Sequence, residues 1–304
     1  MKIFILAVLL FGCSSSLKVK RNLSSVDFDL TLLRPYSEEY AKVESFTSPY
    51  VATFKNSEVE LRFLAADHAN NIDHPTFKTV KSSIENFNPD FIVLEGFEDN
   101  GQISSSAQIA HAEQCSTDGF KPCGESSYTV YLANKKSIPF VSGDPSDSMI
   151  LPEFHSQNYT TQDLIGLRLI QLIPQWRRAG ELNPETTPAR LEKRAAWYSE
   201  KLKSQEVFTF KTLRQWYFDK TGENFDFNKI GSSTVAPTNN ATSTKLNQMS
   251  FHTGLIRDSY LISKIQLGLN KYQKVLVVFG QGHLVKTRKV LEKTMGKSED
   301  HKLF

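Results

Sequence analysis

Four short segments with the patterns of β-strands, joined by longer segments, constrain the fold of this 304-residue chain more than any other feature. Residues 59–64 alternate apolar and polar side chains before turning apolar, and residues 91–94, 138–141 and 274–279 are short apolar runs. A segment with apolar residues three and four apart begins at Pro75, between the first two of these segments. A strand, a helix and a second buried strand form a βαβ unit, whose two strands are parallel. We therefore predict an α/β fold in which helices flank a mostly parallel central sheet.

The segment between the third and fourth predicted strands has the sequence pattern of helices. Long helical patterns punctuated by prolines predict a helical insertion over about residues 159–250, within one α/β domain that covers residues 36–304. Residues 231–250 are rich in Ser, Thr and Asn, and we expect them to form a mobile loop. This loop either gates the neighbouring site or is a surface insertion that the fold tolerates. The insertion carries the tryptophans of the chain: Trp176, Trp197 and Trp216.

The first residues have the order of an export signal. Lys2 supplies a positive charge, residues 3–11 are apolar, and the sequence Leu-Phe-Gly-Cys ends at Cys13. The apolar run is about half of the roughly 20 residues that a membrane-spanning helix requires. The Leu-x-Gly-Cys pattern resembles the bacterial lipobox, which implies a signal peptide over 1–12, lipid attachment at Cys13 and a polar tether over 13–35. The alternative is ordinary secretory cleavage, which leaves Cys13 as a free thiol.

Charge balance and the cysteines restrict the binding partners and the cellular location of the protein. Lys and Arg number 36 against 33 Asp and Glu, a balance that argues against nucleic acid as a partner. Ser14 directly after the cysteine is similar to the outer-membrane sorting pattern of enteric bacteria, and it implies a protein of the bacterial cell envelope that a lipid anchors to the outer membrane. An exported location favours a disulfide between Cys115 and Cys123 over two free thiols or a zinc site.

Each of the four predicted strands is followed by a polar residue: His68, Glu95, Asp144 and His283. Each one alone could be an ordinary cap or turn residue. In a parallel sheet, however, the carboxyl ends of the strands share one edge, where ligands bind. Histidine can act there as a base or a metal ligand, and a carboxylate can orient it or activate water. We therefore predict that these residues form one site.

The helix predicted after His252 adds a charged residue at an unexpected position. Asp258 lies on the same face as Leu255 and Ile262, whereas Arg257 points elsewhere, to the Lys264 side. A buried carboxylate needs a partner. We predict that Asp258 meets a histidine or an anchoring backbone group.

This set resembles the broad Tiki/TraB/GumN superfamily, which includes erythromycin-esterase-like proteins and ChaN-like haem-uptake proteins. Its members share a strand leading to His, a strand ending in Glu, a helix beginning with Arg-Asp, and a last strand running into Gly-x-Gly-His. The corresponding residues here are His68, Glu95, Arg257 with Asp258, and Gly280-Gln281-Gly282-His283. The resemblance implies a catalytic site at His68, Glu95, Arg257, Asp258 and His283.

The favoured function is hydrolysis of a peptide or ester bond at the extracytoplasmic face. In a metal-dependent form, His68, Glu95 and His283 hold a divalent ion that lowers the pKa of bound water to roughly 7. In the metal-free form, which we prefer slightly, His68 is the base for water, Glu95 orients it, and Arg257 with His283 stabilises the oxyanion.

Two alternatives stay open at this point. The first is a lipoprotein that binds haem or another small ligand without catalysis, between the sheet edge and the tryptophan-bearing insertion, with a histidine as axial ligand. The second is a purely structural protein of the cell envelope.

Overall fold

The computed structural model describes residues 25–34, 47–121 and 123–304, and its centre is a six-stranded sheet. The signal peptide, the lipid-attachment residue Cys13 and most of the tether lie outside the described residues. The strands are β1 (Tyr50–Lys55), β2 (Glu60–Ala66), β3 (Phe91–Glu98), β4 (Phe140–Asp144), β5 (Lys274–Gly280) and β6 (Glu299–His301).

The strand order is β4-β3-β5-β2-β1-β6. The first four strands in this order are parallel, and β1 pairs antiparallel with both β2 and β6. The central β5 lies between β2 and β3 and is buried from Val275 onward, which explains why it reads as a continuous apolar run. The predicted α/β fold with a mostly parallel sheet is confirmed.

Helices cover the sheet and fill the long connection between β4 and β5. They are α1 (Pro75–Ser82), α2 (Ser106–Thr117), α3 (Gly124–Lys135), α4 (Asp147–Ser156), α5 (Thr161–Arg178), α6 (Thr187–Lys201), α7 (Phe210–Thr221), α8 (Lys245–Leu269) and α9 (Gln281–Met295). A π-helical turn, Ser83–Phe87, extends α1. Within the described part of the chain, no helix combines the length and the apolar character that crossing a bilayer requires.

The two faces of the sheet bury separate apolar cores. On one face, α8 and α9 bring Leu261 and Leu291 against Phe63 of β2. On the other face, α1 brings Phe77 against Leu64, the next residue of β2. Successive residues of a strand point to opposite faces, so β2 contributes to both cores.

The helices between β4 and β5 have an apolar cluster of their own. Ile150, Leu167, Leu191 and Leu213 from α4 to α7 pack there with Met249 at the start of α8. The helical region begins at Asp147, earlier than the predicted start at residue 159.

The predicted extent of the Ser/Thr/Asn-rich loop, residues 231–250, was wrong at its carboxyl end. Residues 245–250 are the first turns of α8, and the side chain of Thr244 caps them. Leu246 and Met249, three residues apart, are fully buried against the other helices, and this burial stabilises the helix there.

The loop between α2 and α3 contains the predicted disulfide. Cys115, in the last turn of α2, is bonded to Cys123, which directly precedes α3. The third predicted strand is displaced by two or three residues, because it spans Phe140–Asp144 and not residues 138–141.

Candidate active site

The carboxyl ends of the parallel strands bring the predicted site residues together. His68 follows β2, Glu95 lies in the last part of β3, and Asp144 is the last residue of β4. His283 lies in the first turn of α9, directly after β5. Because these strands are parallel neighbours, all four side chains reach the same edge of the sheet.

Glu95 is the centre of this cluster. Its Oε2 accepts a hydrogen bond of 2.7 Å from the backbone N–H of Gly280, and its Oε1 accepts one of 3.1 Å from Arg257. Nε2 of His68 lies 3.8 Å from Oε2, and Nε2 of His283 lies 3.6 Å from Oε1. These two distances are too long for direct hydrogen bonds. A carboxylate that is only 12% exposed therefore stands between two imidazole rings.

Each imidazole is oriented by a second carboxylate on its other nitrogen. Nδ1 of His68 lies 2.6 Å from Oε1 of Glu125, and Nδ1 of His283 lies 2.5 Å from Oδ1 of Asp258. A carboxylate on Nδ1 fixes the ring orientation and leaves Nε2 available. Both Nε2 atoms consequently face Glu95.

Asp258 is fully buried on α8 and has a second partner, which the sequence did not suggest. Nζ of Lys286 lies 2.5 Å from Oδ2 of Asp258, so this carboxylate is shared by Lys286 and His283. The expectation that a histidine would meet Asp258 agrees with this geometry.

Arg257, the neighbour of Asp258 in sequence, connects the ends of β3 and β4. Its Nε lies 3.0 Å from Oδ1 of Asp144, and its Nη2 lies 2.6 Å from the same oxygen. Lys264, on the same side of α8, binds Asp99 at 2.7 Å. Arg257 is thus held at Glu95 by a buried aspartate.

The pKa of His68 is strongly perturbed. The hydrogen bond with Glu125 raises it to about 9, and the charge of Glu95 adds to this effect, whereas burial and Arg257 oppose it. At neutral pH, His68 is therefore predominantly an imidazolium ion.

Glu95 and His283, the buried members of the site, are also charged at neutral pH. Burial favours a neutral Glu95, but the positive charges of His283, His68 and Arg257 outweigh it and lower the pKa of this carboxyl well below its usual range. For His283, burial is likewise outweighed, and the charges of Asp258 and Glu95 raise its pKa. The site at neutral pH is an alternating network of positive and negative groups.

A cavity of about 720 Å³ opens beside this network. Arg257, His283 and Lys286 line this cavity, whereas His68 and Glu95 are not among the residues that line it. Other lining residues come from α5 and from residues 232–238 of the loop before α8. The side chain of Asn247 holds this loop, because its amide donates to the carbonyl oxygens of three loop residues: Ser233, Thr234 and Ala236.

The residues do not fit the predicted metal site. His68, Glu95 and His283 do not bring three donor atoms within 4.8 Å of one another, and Arg257 is hydrogen-bonded to the carboxylate that would be the central ligand. His111, Cys115 and Cys123 do satisfy that spacing. Their two sulfur atoms are joined in the disulfide and cannot act as thiolate ligands.

The predicted haem site does not fit either. None of the three tryptophans is among the residues that line the cavity, and Trp216 donates its indole N–H to Asp163 inside the helical region. His283 is only 11% exposed, and its Nε2 faces Glu95. An axial ligand to iron would have to turn away from that carboxylate.

Sequence reasoning missed two members of the network, Lys286 and Glu125, and it missed the partner of a third, Asp144. Asp144 was recognised as a strand-end residue but not as the partner of Arg257. Lys286 lies three residues after His283 on α9, a spacing that places both on one helix face. Glu125 offered no comparable signal, because its contact with His68 depends on how the segment after the disulfide packs.

The geometry thus defines one connected site, in which six residues were predicted from the sequence and two, Glu125 and Lys286, were found only in the structure. Comparisons of the chain with family models, curated proteins and solved structures found no match.

Proposed function

We propose that this protein is a hydrolase of ester or peptide bonds, anchored in the bacterial cell envelope by a lipid on Cys13. The observation that carries the proposal is the position of Glu95 between two Nε2 atoms, each on an imidazole that another carboxylate orients. Concentrating so many charges at low exposure is costly, and such perturbed groups cluster at functional sites.

In this proposal, the attacking water binds at Oε2 of Glu95, and the groups that stabilise the oxyanion lie beside Oε1. A water molecule that hydrogen-bonds to Oε2 can also reach Nε2 of His68, 3.8 Å away. Neutral His68 takes a proton from this water as its oxygen attacks the carbonyl carbon. Arg257 and the charged His283, on the Oε1 side, stabilise the oxyanion. Collapse of the intermediate breaks the bond to the leaving group, which receives the proton from His68.

The pKa of His68 sets the pH dependence of this reaction. With a pKa of about 9, about 1% of His68 is neutral at pH 7, so we expect kcat/KM to rise with pH until about 9. Glu125 stabilises the imidazolium that forms and is therefore a positioning residue.

The location at the cell envelope is supported by two features. The first is the Leu-Phe-Gly-Cys sequence ending at Cys13, with Ser14 after it. The second is the disulfide between Cys115 and Cys123, since disulfides persist in oxidising compartments. The resemblance to the Tiki/TraB/GumN superfamily is part of the same proposal.

Hydrolysis of p-nitrophenyl acetate and of fluorescein-labelled casein tests the proposed function. His68→Asn is the primary variant, because 62% of this side chain is exposed and the fold should tolerate the change. We expect a loss of about 100-fold or more in kcat/KM on the substrate that is cleaved. His155→Asn, a change at an exposed histidine of α4, is the control and should leave the rate unchanged. Equal rates for the two variants, or no cleavage of either substrate by the wild type, would contradict the proposal.

A further inference from the structure

The wall of the 720 Å³ cavity is cationic. Its charged side chains are Arg168, Arg178, Arg257, His283 and Lys286, and no Asp or Glu is found among the described residues that line it. We infer that the cavity takes a substrate with an anionic group, a carboxylate or a phosphate, which Arg178 binds. This inference rests on the proposed function only in calling the ligand a substrate.

Most of these cations have acidic partners that do not line the cavity. Asp258 is shared by Lys286 and His283, and Asp147 lies 2.9 Å from Arg168. The acids therefore compensate the charge of the wall without presenting negative atoms to a ligand. What the ligand meets is a set of N–H donors.

Arg178 differs from the other cations of the wall. It is the last residue of α5, it is exposed, and it makes no hydrogen bond or ion pair with any residue in the described part of the chain. Its charge is therefore not compensated by a described acidic side chain. A guanidinium can bind a carboxylate or a phosphate through two parallel hydrogen bonds.

A neutral polar group at the same wall also lacks a partner. The hydroxyl of Ser250, on α8, is buried and has no hydrogen bond within the described residues. An unpaired buried hydroxyl is costly, and an oxygen of a bound ligand would satisfy it. The guanidinium of Arg178 and the hydroxyl of Ser250 are therefore both available to bind a ligand in a cavity that Arg257 and His283 also line.

Calorimetric titration of the full-length protein with glutarate and with inorganic phosphate at low salt tests this inference. We expect saturable binding of at least one anion, weakened about tenfold in Arg178→Gln and also weakened by added salt. Binding of glutarate alone would identify a carboxylate as the preferred group, and binding of phosphate alone would identify a phosphate. Arg214→Gln, at an arginine of α7 that does not line this cavity, is the matched control.

Two results would overturn the inference: failure of both anions to bind the wild type, or equal binding by Arg178→Gln and the wild type. Because binding is measured without turnover, a failure of anion binding leaves the hydrolase proposal intact. Likewise, a failure to hydrolyse esters or peptides leaves the anion site intact. A matched pair of esters then shows whether the ligand is a substrate. Arg178→Gln should lower kcat/KM for mono-p-nitrophenyl glutarate more than for neutral p-nitrophenyl butyrate.

Discussion

Replacing Glu125 by Gln should change the pKa of His68 with little change in shape. The carboxylate oxygen that lies 2.6 Å from Nδ1 becomes an amide oxygen, which still accepts a hydrogen bond but carries no charge. The other oxygen, which accepts a 3.2 Å hydrogen bond from the backbone N–H of Ala69, becomes an NH2 group and loses that bond. The pKa of His68 should fall from about 9 toward its ordinary value of 6.5, although Glu95 still favours the charged form. Each unit of decrease raises the neutral fraction at pH 7 about tenfold, as long as the pKa stays above 7.

If neutral His68 is the base, Glu125→Gln should therefore be more active than the wild type at pH 7, and its rate should level off at a lower pH. The gain will be smaller than the change in neutral fraction, because a less basic imidazole accepts a proton less readily. The assay combines an NMR titration of the His68 ring between pH 5 and 10 with kcat/KM measured over the same range. Glu153→Gln, at an exposed residue of α4, is the matched control.

Two results would refute this reasoning. An unchanged pKa of His68 in the variant would mean that Glu125 does not control it. A lower pKa combined with a lower rate at pH 7 would mean that the charged form is the active one, and that His68 donates a proton or a hydrogen bond.

Three further predictions concern stability, anchoring and the loop. Lys286→Met leaves the fully buried Asp258 with His283 as its remaining cation, so urea denaturation at pH 7 should show a loss of about 3 kcal/mol, part of which Asp258→Asn restores in the double variant. A Lys286→Met protein as stable as the wild type would contradict this. Cys13→Ser should move the protein from the membrane fraction to the soluble fraction without unfolding it, and complete retention in membranes would count against the anchor. Replacing residues 231–244 by a short Gly/Ser linker removes the three carbonyl oxygens that the buried Asn247 amide binds, so we expect some loss of stability. Turnover of the folded variant should also change, and identical activity would mean that this loop is not a gate.

The sequence was informative where periodicity and strand position decide the structure. Four polar residues at predicted strand ends do share one edge, because parallel pairing aligns those ends. Asp258 was recognised as buried because its helical position falls on an apolar face. Neither inference needed a tertiary contact to be known in advance.

Other features depend on packing that no local pattern specifies. The β6 strand is the polar segment Glu299–His301, and it forms only because β1 offers it an edge. Glu125 reaches His68 only after α3 is placed beside the end of β2. The start of α8 was assigned to a loop because its polar residues are frequent, although buried Leu246 and Met249 decide its conformation.

Gly280→Ala tests the central claim most directly, because it alters the space between His68 and Glu95 without removing a titrating group. Gly280 has φ −57° and ψ 143°, which an alanine adopts without strain. The added methyl would lie 3.1 Å from Nε2 of His68 and 3.3 Å from Oε2 of Glu95, where the attacking water must bind. Gly231→Ala is the control, since its methyl would meet no atom closer than 3.9 Å.

We predict that Gly280→Ala unfolds at nearly the wild-type urea concentration but loses about 100-fold in kcat/KM, whereas Gly231→Ala keeps both properties. A folded Gly280→Ala protein with wild-type activity would show that the reaction does not take place between His68 and Glu95.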